Sequence, residues 1–236
     1  MRNQAGMNEK ERTRRLTVLG LLCAVAYVIV AVCRIPIVSF LKYEPKDVVI
    51  VIGGFLYGPL ASFAISAVVS LVEMLTVSDT GFYGLLMNIL SSCAFACTAA
   101  FVYARRHTLK GAICGLLAGT ALMTLLMLLW NYIITPAYMG VPREAVVRML
   151  PTVFLPFNAF KGGLNAALTL LLYKPLMRAL RLAHLVPESG AAKKGASLWN
   201  AGTLLAAAVL AATCVLILLA VKKAVSYTHL RAHETE

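Results

Sequence analysis

The sequence predicts an all-α integral membrane protein in which six apolar runs form one helical bundle. Two observations lead there. Of 236 residues, 60% are hydrophobic and 14% charged, with a mean hydropathy of +0.81, whereas soluble domains run at about 45–50% apolar and about 25% charged. Apolar runs of membrane length recur along the chain and leave no room for a large soluble domain. Backbone polar groups in lipid must be satisfied within the protein, and these runs are too long and too uniformly apolar for barrel strands.

The elements follow in order. Residues 1–15 are polar and basic, with Arg2, Lys10, Arg12, Arg14 and Arg15 against Glu9 and Glu11. A first span at 16–32 reads as an uncleaved helix rather than a signal peptide, because it is long and other spans follow. Residues 34–47 form a connection of mixed apolar and polar content, in which Pro36 and Pro45 stop a helix from running through. This connection is a candidate lid. A short second span at 48–57 ends at the Gly58-Pro59 break, and a third covers 60–77. After the turn at 78–81, a fourth span runs from 82 to 103. The fifth, at 111–134, carries Gly111, Gly115 and Gly119, a ridge that lets another helix come close. A loop at 135–149 leads to the sixth span, 151–172. The chain thus divides into a basic N-terminus (1–15), a membrane domain (16–180), a basic linker (181–197), a candidate seventh span (198–221) and a tail (222–236). The end of that tail, Ser226 to Glu236, looks like translated adaptor sequence and is set aside.

Charge orients the bundle. Loops on one side carry Arg2, Lys10, Arg12, Arg14 and Arg15, then Arg105, Arg106 and Lys110, then Lys174, Arg178, Arg181, Lys193 and Lys194. The other side has Arg34, Lys42, Lys46, Arg143 and Arg148. Thirteen against five places the N-terminus inside. The connections at 35–47, 78–81 and 135–149 then share the outer face. The same clustering explains the net charge of +12 without a nucleic-acid partner.

Lys161 is the most informative residue. It lies in Leu155-Pro156-Phe157-Asn158-Ala159-Phe160-Lys161-Gly162-Gly163, and a charge at membrane depth persists only with a partner, a wet cavity or a ligand. Asn158, three residues earlier, shares its helix face. Asn131 ends the fifth span on the same outer side. Two amides and an ammonium suit a planar small molecule rich in oxygen and nitrogen. Glu73, within the third span, is expected to serve as an ion-pair partner, with Lys161 the candidate, or in proton coupling. Glu44, Asp47 and Asp79 read as solvated loop charges. Tyr43, Tyr83, Tyr132 and Tyr138 fit an interfacial aromatic belt or a stacking surface. Six cysteines, mostly inside spans, read as small apolar packing residues. No phosphate-binding loop, nucleophile elbow, zinc-protease motif or histidine lies within the first six spans, which argues against a protease, a metalloenzyme and a self-powered ATPase.

Several stretches together resemble the substrate-binding S component of energy-coupling-factor vitamin transporters, in its riboflavin-binding branch. They are Leu41-Lys42-Tyr43-Glu44-Pro45-Lys46-Asp47, Gly53-Gly54-Phe55-Leu56-Tyr57-Gly58-Pro59, the region of Glu73 and the turn leading to Asn88, Asn131-Tyr132 with Pro136 and Tyr138, and the Asn158/Lys161 segment. The likeness covers residues 15–180. It implies a six-helix bundle that holds riboflavin near the outer face, with Asn131, Asn158 and Lys161 on the isoalloxazine ring. Tyr43, Glu73, Asn88 and Tyr138 join them as candidate binding residues. It implies no catalysis, metal or cofactor, the flavin being cargo. It implies docking of Gly20 and Ala24, on the first helix, onto a transmembrane coupling subunit served by two cytoplasmic ATPases in the bacterial plasma membrane. The alternatives are an S component for another vitamin or precursor, an integral-membrane enzyme using Glu73 or Lys161, and a purely structural membrane subunit.

Overall fold

The computed structural model describes residues 8–38 and 41–182, together with Ala208, Ala212 and Val215. The expected linker, seventh span and tail otherwise lie outside the described residues. The chain runs α1 (Glu9–Val32), β1 (Ile35–Val38), β2 (Leu41–Tyr43), α2 (Lys46–Tyr57), α3 (Pro59–Thr76), α4 (Gly81–Arg106), α5 (Leu109–Met139), α6 (Arg143–Met149), a π-helical segment (Leu150–Phe154) and α7 (Leu155–Leu182). Among the described residues four helices, α1, α3, α4 and α5, are long and apolar enough to cross a membrane. At 12 residues α2 is too short to do so alone.

Several boundaries differ from the sequence reading. The first helix begins at Glu9, within the basic segment, because Glu9 and Glu11 suit a helix start. The fifth continues through Pro136 to Met139, so the expected loop at 135–149 is the end of α5 plus α6. Within the expected connection, Ile35–Val38 and Leu41–Tyr43 pair as an antiparallel hairpin, with Ile35 opposite Tyr43 and Pro36 opposite Lys42, and α2 begins at Lys46. Gly58, at φ 89°, makes the break between α2 and α3, and Pro59 opens α3 where its missing N–H costs nothing.

The bundle is held by close helix contacts around an apolar core that includes Ile50, Ile65, Phe95, Leu116 and Met123. The glycine ridge of α5 works as expected. A Cβ on Gly115 would sit 2.7 Å from the Ala99 carbonyl oxygen, and one on Gly119 would sit 2.4 Å from that of Phe95, so α4 and α5 touch backbone to backbone. Gly162 plays the same part between α7 and α5, where a Cβ would meet the Thr120 side chain at 2.5 Å. This seats the segment that carries Lys161. At the end of the bundle away from the hairpin, Phe55 stacks on Tyr103 at 4.3 Å and meets Tyr173 edge-on at 5.8 Å.

Candidate functional site

The sequence Glu44-Pro45-Lys46-Asp47 organises the site. Pro45 ends the hairpin and α2 begins at once, so successive side chains leave in different directions. All three charged residues are buried, Lys46 and Asp47 completely. The reading of Glu44 and Asp47 as solvated loop charges is therefore corrected. The hairpin folds back over the bundle and carries them beneath it. Asp79 is the exception, an exposed carboxylate paired with Lys42 at 2.7 Å.

Glu44 and Lys46 face the α1 and α3 side. Arg34, just past α1, lies 3.0 Å from the Glu44 carboxylate and 2.7 Å from that of Glu73. Lys46 Nζ contacts Glu44 at 2.9 Å and also pairs with Glu73. The four residues close a ring of alternating charge, and Asn88 of α4 donates to Glu73 Oε1 at 3.0 Å. Burial pushes the Glu44 carboxyl up, but the surrounding Lys46, Lys161 and Arg34 charges outweigh it and hold the group below the usual carboxylate range. Glu73 is thus an ion-pair residue, but its partners are Arg34 and Lys46 rather than Lys161.

Asp47 faces the opposite way. It accepts from Ser92 of α4 and, at 3.2 Å, from Asn165 of α7, and it lies 3.5 Å from Lys161 Nζ. Lys161 also donates to Ser91 at 3.3 Å. Asn165 in turn accepts from the Tyr43 hydroxyl at 2.8 Å, and the Tyr43 ring meets Phe160 edge-on at 5.8 Å. Asn165 was legible in principle, since with Asn158 and Lys161 it completes an i, i+3, i+7 stripe on one face of α7.

Between the two networks lies a cavity of about 410 Å³, within the usual range for small-molecule sites. Its wall includes Asn131, Asn158, Lys161, Glu73, Asn88 and Tyr138, which the structure brings together, and Arg34 and Ser91, which the sequence reading did not propose for the site. Tyr43 is buried and lies behind this wall, not on it. Gly20 and Ala24 do not line the cavity and are exposed on α1.

The two wall amides are braced by their own helices. Asn131 donates to the Met127 carbonyl at 2.6 Å and accepts from Thr135 at 2.9 Å. Asn158 donates to the Phe154 carbonyl at 2.8 Å, at the junction with the π-helical segment. An amide has two N–H donors and one carbonyl acceptor. Each therefore keeps an N–H, and Asn158 its carbonyl oxygen, for a guest. Lys161 has a third donor left after Ser91 and Asp47. The wall can present several fixed donors and an acceptor between apolar faces supplied by Met87, Met127 and Phe157. That suits a flat heterocycle bearing carbonyls and an imide. Tyr138 lies at the rim with its ring 5.7 Å from that of Tyr83, and Tyr132 faces away, under the Arg143 guanidinium.

The chain is similar to several known proteins. The riboflavin transporter FmnP of Bacillus subtilis (strain 168) is 28% identical over 189 residues, covering 74% of this chain and 99% of that protein. The riboflavin transporter RibU of Staphylococcus aureus (strain TCH60) is 26% identical over 181 residues, covering 72% and 94%. A solved structure described as "Structure and mechanism of the S component of a bacterial ECF transporter" aligns with a TM-score of 0.61 at 27% identity, over 72% of this chain and 99% of that one. Residues 14–173 match the family described as "ECF transporter, substrate-specific component". With more than half of its length matched, the chain belongs to the family of substrate-specific components of ECF transporters, a family of transport subunits and not of enzymes.

Proposed function

We propose that this protein captures riboflavin from the outer side of the bacterial plasma membrane and presents it to a coupling subunit driven by two cytoplasmic ATPases. The observation that carries the reading is the convergence of Asn131, Asn158 and Lys161 on one cavity of about 410 Å³. The pyrimidine edge of the flavin offers two carbonyls and an imide N–H, the complement of the donors and acceptor that these residues leave open. Relatives that are riboflavin transporters support the choice of ligand. Glu73, Asn88 and Tyr138 complete the wall, and Tyr43 braces it through Asn165.

In this reading α2 and α7 join the four long helices to make six spans, with the basic N-terminus in the cytoplasm and the hairpin outside. The hairpin is the lid over the bound vitamin. The exposed Gly20 and Ala24 on α1 form a small-residue surface for the coupling subunit. The site carries no cofactor, and the flavin passes through unchanged.

The test is direct. The full chain is purified in detergent and titrated with riboflavin while flavin fluorescence is followed. Saturable one-to-one quenching, and yellow protein when the vitamin is supplied during expression, are expected. Folded protein that neither colours nor quenches would remove riboflavin, and other vitamins would then be screened.

A further inference from the structure

The cavity wall contains three cations, and each already has a carboxylate. Arg34 sits between Glu44 and Glu73, at 3.0 and 2.7 Å. Lys42 meets Asp79 at 2.7 Å, and Lys161 lies 3.5 Å from Asp47. Three of these carboxylates, those of Glu44, Glu73 and Asp79, face the cavity alongside their cations. An anionic guest would find no uncommitted positive charge among the described wall residues. It would have to lose its hydration, displace a carboxylate from its partner, or sit beside one.

We infer that this wall selects against anions, and that Asp79, by occupying Lys42 at the mouth, is a specificity-determining residue that favours the uncharged vitamin over its phosphate monoester. The inference rests on the flavin reading given above. Discrimination of this kind comes from a cost placed on the competitor, and needs no new contact with the favoured ligand. The Lys42–Asp79 pair is the adjustable part, because both side chains reach solvent, at 39% and 75% exposure. A phosphate on the flavin side chain would emerge on this open side, since the ring is held at the buried amides. The hydrogen bond and charge from Lys42 hold the Asp79 carboxyl below its usual range, so it stays ionised wherever the protein works. Burial raises Glu44, but its three neighbouring cations more than reverse that effect, and it too stays charged.

The experiment measures the affinities of riboflavin and flavin mononucleotide for the full chain by fluorescence quenching, in the wild type, D79N and the double variant D79N/K42Q. The wild type is expected to bind the phosphate ester at least about ten-fold more weakly. D79N frees Lys42 and should narrow that ratio by roughly three-fold or more, the size expected of a partly exposed charge. D79N/K42Q removes the freed cation and should restore the wild-type ratio, which a merely structural role for Asp79 would not do. Equal wild-type affinities, an unchanged ratio in D79N, or a ratio still narrowed in the double variant would each overturn the inference while leaving the flavin reading intact. A wild type that binds neither flavin overturns that reading first, and this inference with it.

Discussion

The Asp47 carboxylate lies 3.5 Å from Lys161 Nζ, joining the first turn of α2 to the second turn of α7. Asp47 is fully buried and Lys161 nearly so. Removing one partner strands the other, at a cost of about 3–5 kcal/mol, whereas replacing both with apolar groups is far milder. Asp47→Ala should therefore lower the thermal midpoint strongly. The double variant D47A/K161M should recover most of the loss. Trp130 fluorescence during thermal unfolding in detergent reads both, and a double variant no better than the single would contradict the pairing.

Ligand affinity should separate by the type of donor lost. Asn158→Ala removes up to two neutral hydrogen bonds worth about 1 kcal/mol each, so riboflavin should bind roughly five- to thirty-fold more weakly. Lys161→Gln removes a charged donor and should cost roughly ten- to a hundred-fold. Lys161→Ala combined with Asn158→Ala should abolish measurable binding while the helical signal in circular dichroism persists. Unchanged affinity in that double variant would sink the assignment of the site.

Glu73 and Asp79 both pair with cations, but in different surroundings. Glu73 is 2% exposed and serves Arg34, Lys46 and Asn88 at once. Glu73→Gln leaves the fully buried Lys46 with Glu44 alone and should cost about 3 kcal/mol. Asp79→Asn changes an exposed pair and should barely move the thermal midpoint. Comparable losses in the two variants would mean that the ring does not hold the bundle.

Acid should loosen the hairpin, and the direction follows from Glu44. Its carboxyl is held below the usual range in the folded protein. The stability it contributes is therefore complete above the ordinary glutamate value of about 4.3 and is lost as pH falls through the lower folded value. Hydrogen exchange across residues 35–43 should be steady from roughly pH 7 to 5, after correction for intrinsic rates, and should accelerate only below that. Loosening already in the neutral range would show that another group controls the hairpin.

Two glycines should respond in opposite ways to alanine. At Gly119 the added methyl meets the Phe95 carbonyl at 2.4 Å, so G119A must push α4 and α5 apart, at about 1–3 kcal/mol. At Gly20 nothing lies within 4 Å. G20A should therefore fold as the wild type does, and, if α1 docks as proposed, the bulkier G20L should lose co-purification with the coupling subunit while still binding riboflavin.

Much of the site was legible in sequence, for physical reasons. Lys161 and Asn158 stand out because polar groups in an apolar run are costly, and Gly115 and Gly119 because their four-residue spacing makes a groove. Glu44 and Asp47 were misread because nothing local distinguishes a loop carboxylate in water from one folded under a hairpin. Their burial depends on β1 and β2 pairing over the bundle, a contact between segments far apart in the chain. Lys46 and Arg34 read from sequence as outer loop charges for the same reason. Asn165 was overlooked although the helical stripe through Asn158 and Lys161 pointed to it. The C-terminal end of α5 lies beyond the expected boundary because Pro136 sits inside a helix that continues past it.

The closed ring of Arg34, Glu44, Lys46 and Glu73 has a consequence for how such a protein can diverge. Each member is matched to two others, so any single neutralising substitution leaves an odd charge in a poorly screened interior. Descendants reach an uncharged version only by crossing that disadvantage or by changing two positions together. Lineages that keep the hairpin should then hold or lose these residues as opposite-sign pairs, while the exposed Lys42 and Asp79 drift one at a time. The part of the site nearest water is thus the part most free to change what the cavity admits.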